Sequence, residues 1–529
     1  MYDLVLAGGL VVDGTGGKPC AANVCVKDGL IACVTQEPVT DADAVLDVTG
    51  RVVSPGFIDI HTHSDAAPLV GYIMDSKVSQ GITTEITGNC GNSCMPSFPE
   101  RLEELHERSV NALQVPLYGA KVGRLSVTDY AADAEAAGIL TNFGCLIGHS
   151  TLRLAVMGYV NRDPSPEEME QLKDLLDREL DRGAFGMSLG LIYPPSAFSS
   201  KEELVELAKV LKKHDALLTV HMRNEGPRIF EALDEMLDVA EASGVHLQIS
   251  HLKLMGKPQW GRSDELLRKI EDARARGIDV TCDQYPFTAS STGLTAIIPN
   301  WAHEGGIPAM LERLKAPTPE LRAGTADKME ERGGAHTILV TSTNSALPDC
   351  EGKYLSEIAE RFGLDPVDAA FKLLIDADGY AKCVYFCIDE GDMLNIMPKP
   401  YVCMGSDGYA FALDPKYTPM NPHPRNFGAF PQFFQTVREH GVMPIETAVY
   451  KATGMPASLL GLTDRGYIKE GLAADITVFD PETIENRATY VNSKVLPVGI
   501  DYVIVNGQIA MDHNKLTAAR GGKILLRGR

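Results

Sequence analysis

The sequence predicts an α/β protein: a (β/α)8, TIM-like barrel with a small β-sandwich formed by both chain ends. Three observations carry that prediction. Both ends of the 529-residue chain read as short alternating strands between Gly, Asp and Asn turns. The middle repeats a short apolar run followed by an amphipathic helix. The runs number eight, which is what a closed barrel needs.

In chain order, residues 1–54 supply the first part of the sandwich, with strands at Tyr2–Leu10, Ala22–Val26 and Leu30–Val34. The barrel is expected over 55–467, with its first strand, Val52–Ile60, running in from the sandwich. The other strands are read at Thr83–Thr87, Asn142–Ile147, Gly186–Leu189, Leu217–Val220, Leu247–Ser250, Asp279–Cys282 and Tyr401–Met404. Amphipathic helices fall between several of them, at Pro166–Arg182, Lys201–His214, Pro227–Ala242 and Arg262–Ala275. The interval before the eighth strand is too long for one helix, and an inserted subdomain is expected at about 290–345. Residues 468–529 return to the sandwich through Ile476–Phe479, Val503–Val505 and Lys523–Leu526.

Composition narrows the function. Hydrophobic residues make up 44% of the chain and charged residues 23%, an ordinary globular balance. A net charge of −22 argues against a nucleic-acid or anionic-membrane partner, both of which require a basic footprint. No apolar run approaches the ~20 residues that span a bilayer. The opening MYDLVLAGGLVVDG reads as strand and turn, and eleven cysteines without a dense framework suit reduced thiols. A cytoplasmic address is expected.

The chemistry lies in where ligand-type residues fall. His61 and His63 sit just beyond the first strand, in FIDIHTHSD, and Cys90 follows the second, in TEITGNCGNSC. His221 and His251 end the fifth and sixth strands, and Asp407 follows the eighth, in CMGSDG. In a β/α barrel the C-terminal strand ends open on one face, so these six side chains are expected to converge there. Singly, each has an ordinary structural reading, as a strand-end His, a small buried Cys or a turn Asp. Jointly, imidazole and thiolate donors at the same end of several strands, in the right order, point to zinc.

The motif HTHSD after GFIDI, the two strand-ending histidines and the late Asp resemble the amidohydrolase superfamily. GNCG, HMR, SHLK, QYPFTASSTGL, GSDG and NPHPR are similar, within it, to the N-acyl-D-amino-acid deacylases (D-aminoacylases). The likeness covers essentially the whole chain and implies a barrel of the amidohydrolase type. It implies that Cys90, His221 and His251 hold a tight zinc, with His61 and His63, sharing Cys90, forming a second, weaker site. Many superfamily members bridge two metals with a carboxylated lysine at the end of the fourth strand. FGMSLGLIYPP offers no lysine there, and Cys90 takes the bridging position.

The reaction implied is hydrolysis of the amide of an N-acyl-D-amino acid, a small-molecule substrate. Asp407 is placed to take a proton from the attacking water and pass it to the departing amine. Lys253, Tyr193 and Arg425 are the candidates to grip the substrate carboxylate, as the resemblance implies. SSTGLTAIIPNW carries no cation, so a neutral amino-acid side chain is expected. Arg223 is read as a structural ion-pair member, and Cys94, Cys282, Cys403 and His149 as structural. Two rivals share the barrel: a cyclic-amide hydrolase of the hydantoinase or dihydroorotase kind, and a deaminase. The missing lysine and the presence of Cys90 count against the first. The second often places Glu three residues after the fifth-strand His, where this chain has Asn224 and then Glu225. A non-enzymatic scaffold would be expected to lose ligand residues that this chain keeps. Oligomeric state leaves no specific signal.

Overall fold

The αβ alternation of the middle of the chain becomes two groups of parallel strands in a computed structural model, which describes residues 1–70, 75–113 and 120–528. One group runs Phe57–Asp59, Ile82–Thr87 and Asn142–Cys145. The other runs Ile147–Gly148, Gly186–Gly190, Leu217–His221, His246–Ile249, Val280–Gln284 and Val402–Met404, in sequence order with every pair parallel. Asn142–Cys145 and Ile147–Gly148 are one run broken at Leu146, so among the described residues the sequential parallel strands number eight. A parallel bridge between Thr62 and Gly408 links the stretches just beyond the first and last strands.

The connecting helices follow local rules. Pro166–Asp181 begins at a Ser165 capping box with Pro in its first turn, and it buries Leu172, Leu175, Leu176 and Leu180. Lys201–Lys213, Ile229–Ser243 and Ser263–Ala275 likewise bury one apolar face each.

The single run read at Val52–Ile60 divides at Gly56. Val52–Pro55 pairs antiparallel with Ile476–Phe479 in a nine-stranded sheet drawn from both chain ends, whereas Phe57–Asp59 enters the parallel strands. A Cβ at Gly56 would lie 2.2 Å from Thr83 Oγ1, so only glycine allows the chain to pass this close. Lys523–Leu526 forms no strand of that sheet. It lies along the third parallel strand, with Phe143 N donating to Lys523 O at 2.9 Å and Leu525 N to Phe143 O at 2.7 Å.

Between the seventh and eighth parallel strands stands an antiparallel sheet in the order Ser290–Gly293, Lys382–Tyr385, Ile338–Ser342, Lys353–Tyr354. It carries the helices Gly306–Lys315, Pro319–Glu330, Leu355–Phe362 and Pro366–Asp376, and so continues well past residue 345.

Two buried features lock the parallel strands to their surroundings. Phe57, Phe430, Phe434 and Phe479 form an aromatic cluster with neighbouring centroids 5.0–5.9 Å apart, joining the first strand, the helix Arg425–His440 and the nine-stranded sheet. Lys77 Nζ bonds Asp59 Oδ2 and Ser406 Oγ, both at 2.8 Å, tying the first strand to the residue before Asp407. Among the described residues no helix is long and apolar enough to cross a membrane.

Candidate functional site

The six residues singled out in the sequence meet beyond the C-terminal strand ends, His63 standing 3.0 Å from Asp407. His61 lies two residues past Phe57–Asp59, and Cys90 three past Ile82–Thr87. His221 is the last residue of its strand, His251 lies two past Ile249, and Asp407 three past Met404. Cys90, His251 and Asp407 have φ of 51°, 37° and 51°, in the left-handed region that L-residues seldom occupy. Backbone strain at three converging side chains is the kind of feature that gathers at functional sites. The turn carrying Cys90 is pressed against Gly190, where a Cβ would lie 2.1 Å from the Cys90 carbonyl oxygen.

The donor atoms converge. Cys90 Sγ is 3.7 Å from His251 Nε2, 3.8 Å from His221 Nδ1 and 3.4 Å from His61 Nε2, and His251 Nε2 is 2.8 Å from His221 Nδ1. Tetrahedral zinc with ordinary Zn–S and Zn–N bonds needs S···N near ~3.6 Å and N···N near ~3.3 Å, so the donor set fits such an ion after a small opening. The ligand atoms of His61, Cys90, His251 and Asp407 all lie within 4.8 Å of one another, as do those of His221, Glu225 and His251. Asp407 Oδ1 is 3.5 Å from His61 Nε2 and 3.0 Å from His63 Nε2.

Electrostatics suit the same reading. Burial holds both His221 and His251 well below the usual histidine range, reinforced at His251 by Lys253, so both are neutral, the form that ligates metal. Burial likewise raises the Cys90 thiol, with His61 opposing it. At Asp407 burial acts upward but is outweighed, first by the Arg425 charge and then by the hydrogen bond to His63, which keep the carboxyl well below its ordinary value. It is therefore ionised at neutral pH.

The three carboxylate-grip candidates line the same cavity, of about 470 Å³. Each already has a partner. Lys253 Nζ is 2.6 Å from Glu225 Oε1 and 2.9 Å from His251 Nδ1. Arg425 Nη1 is 2.8 Å from Asp407 Oδ2, and its Nη2 donates to Ser291 O at 3.2 Å. The Tyr193 hydroxyl is 3.0 Å from Thr292 Oγ1. Arg223 pairs with Glu235 at 2.9 Å, and His149 is fully buried between Ser196 and Glu203.

Three residues at the site were given no role there from the sequence. Glu225 stands against His251 and Lys253, four residues after His221. Asp283 accepts from His61 Nδ1 at 3.0 Å and from the His251 backbone N at 2.8 Å, orienting one ring and one turn. Tyr285 has a buried hydroxyl with no partner among the described residues and lies in the cavity wall, its ring 5.1 Å from the Arg425 guanidinium. Asp283 had one sequence signal: it falls near the C-terminal end of the seventh strand, where chemistry gathers.

With this geometry in place, comparison with known proteins decides the family. A profile of the amidohydrolase family matches residues 44–511. The chain belongs to that family. It is 34% identical to a D-aminoacylase of Alcaligenes xylosoxydans xylosoxydans, over 99% of this chain and 98% of the relative. It is 35% identical to an N-acyl-D-glutamate deacylase of the same organism, over 99% and 96%. Among solved structures, the N-acyl-D-glutamate deacylase of Bordetella bronchiseptica, complexed with zinc and a phosphonate mimic of the tetrahedral intermediate, superposes with a TM-score of 0.83. That match has 32% identity and covers 99% of both chains. A D-hydantoinase shares the fold at a TM-score of 0.55 with 16% identity. Within the amidohydrolase family, this chain falls in the N-acyl-D-amino-acid deacylase branch.

Proposed function

We propose that this amidohydrolase is a zinc-dependent deacylase that hydrolyses the amide of N-acyl-D-amino acids to a carboxylate and a free D-amino acid. The observation that carries it is the Cys90–His221–His251 donor set standing against the ionised Asp407 in a cavity lined by cations. Selectivity for the D-enantiomer rests on the relatives, whose names specify D-substrates.

Cys90, His221 and His251 would hold the tight zinc, and His61 with His63 a second, weaker one that shares Cys90. When bound, zinc supplies polarisation of the scissile carbonyl and a water acidified to a pKa near ~7. Asp407 accepts the proton of the attacking water and returns it to the amide nitrogen, so that the amine leaves neutral. Arg425 takes the substrate's α-carboxylate, helped by Lys253 and Tyr193. Because Arg425 also pairs with Asp407, substrate competes for that guanidinium and frees the base as it binds. The unpaired Tyr285 hydroxyl beside Arg425 offers one further donor to the substrate.

The fold around this site is read as a closed eight-stranded barrel over 55–467, supported by the sequential parallel strands and the Thr62–Gly408 bridge. The nine-stranded sheet, fed by 1–54 and 468–529, is read as the sandwich. The test is turnover of N-acetyl-D-methionine, N-acetyl-D-glutamate and their L-enantiomers by zinc-loaded enzyme. D-selective release of amine is expected; hydrolysis of hydantoins instead would replace this reading with the cyclic-amide one.

A further inference from the structure

The cavity wall holds a lysine, Lys382, for which the deacylase reading has no use. Lys382 opens the strand Lys382–Tyr385 and stands opposite Gly293 of Ser290–Gly293 and opposite Ser342 on its other side. The strand Ser290–Gly293 carries the carbonyl that binds Arg425 and the hydroxyl that binds Tyr193, so Lys382 belongs to the wall that faces the substrate's acid end. Its side chain lines the cavity half-buried, with Nζ 3.5 Å from the Tyr409 hydroxyl and 5.6 Å from the centre of that ring. The Tyr409 ring in turn lies 5.3 Å from His63, which touches Asp407. Lys382 is thus one aromatic side chain away from the reacting centre.

Of the other cations in the cavity, two are paired with carboxylates and two bond neutral groups. Lys253 has Glu225 and Arg425 has Asp407. Arg108 donates to the Tyr159 hydroxyl and the Asn92 side chain, and Arg332 to the Lys328 carbonyl. Among the described residues no carboxylate lies within ion-pair distance of Lys382. Burial first, then Arg425, lowers its ammonium to about 8, which leaves it charged at neutral pH. An ammonium kept in a cavity wall beside hydroxyl and aromatic groups, without a counterion, is completed by an anionic ligand. The stretch SSTGLTAIIPNW has no cation of its own, but the pairing of Gly293 with Lys382 brings one to it from 89 residues away.

We propose that Lys382 binds a second carboxylate of the substrate, making the enzyme selective for N-acyl-D-amino acids with an acidic side chain. This rests on the deacylase reading above. A second carboxylate on the acyl group offers the same chemistry, and the test separates the two.

The experiment compares kcat/KM of zinc-loaded enzyme for N-acetyl-D-glutamate and the isosteric N-acetyl-D-glutamine, and for N-succinyl-D-alanine and N-acetyl-D-alanine. Binding of the products D-glutamate and D-glutamine to the same zinc-loaded enzyme is measured by calorimetry. Each comparison is repeated in K382M and K382R. The expected result is at least about a tenfold preference for glutamate over glutamine in both rate and binding, ~1.4 kcal/mol. It should collapse towards unity in K382M and survive in K382R. Equal handling of glutamate and glutamine, or a preference that persists in K382M, overturns the proposal. So does a Lys382-dependent preference confined to the succinyl substrate, which would assign the amine to the acyl side. If no N-acyl-D-amino acid is turned over yet D-glutamate still binds preferentially through Lys382, the deacylase reading fails and the contact stands.

Discussion

Replacing Lys77 by Met is expected to cost about 3–5 kcal/mol of folding stability. The side chains of Lys77 and Asp59 are 1% and 0% exposed, and their N···O distance is 2.8 Å. Lys77 also donates to Ser406 Oγ at 2.8 Å, and the Ser406 backbone N donates to Asp59 Oδ1 at 2.9 Å. Removing the ammonium leaves the Asp59 carboxylate with its Ser406 donors but without a countercharge, in a place water does not reach. An unpaired buried charge is the costly case, far above the ~0–1 kcal/mol of a surface pair. The assay is urea unfolding of wild type, K77M, D59N and the double variant near neutral pH. Since the two groups act as a pair, the double variant should recover part of the loss, with a coupling energy of about 2 kcal/mol. A K77M loss below about 1 kcal/mol, or a coupling within ~0.5 kcal/mol of zero, would refute the reasoning and reduce the network to an incidental contact.

Two further outcomes are expected. Replacing Cys90 by Ser exchanges a thiolate for a hydroxyl that stays protonated; zinc affinity, read by chelator competition, should fall by more than the ~10–100-fold that even outer partners of a metal contribute. Unchanged affinity would remove Cys90 from the ligand set. His303 is buried, and burial, aided by Lys328, lowers its pKa to about 4. The unfolded chain, with a pKa near ~6.5, binds the extra proton first, so stability present above pH ~6.5 is lost as pH falls towards 4. At pH ~5 this amounts to about 2 kcal/mol, so H303Q should show a correspondingly shallower stability loss between pH ~7.5 and ~5 in urea; parallel curves would contradict it.

How much was legible from the residues alone follows from what each feature depends on. His61, Cys90, His221, His251 and Asp407 could be read because strand periodicity locates strand ends locally, and ligand-type residues recur just beyond them. The division of Val52–Ile60 was hidden, since both halves are apolar and only the close approach of Thr83 to Gly56 reveals the break. Lys523–Leu526 has the composition of a strand, yet its carbonyl and amide partners belong to Phe143, a contact that no local pattern encodes. Glu225 and Lys382 depend on tertiary placement. The first lies in a loop whose direction after His221 the sequence leaves open, and the second reaches the cavity through a pairing with Gly293. Lys253 and Arg425 were found as cations, but their pairing with Glu225 and Asp407 became visible only when the strand ends were assembled.

The most direct test of the central claim is the rate of N-acetyl-D-amino-acid hydrolysis by the D407N variant, with its zinc content measured on the same sample. The account predicts that the variant keeps its zinc and its fold while kcat falls by about 10²–10⁴, the share of a positioned acid–base group. Turnover near the wild-type rate at full zinc loading would contradict the role given to Asp407 and, with it, the mechanism proposed for this site.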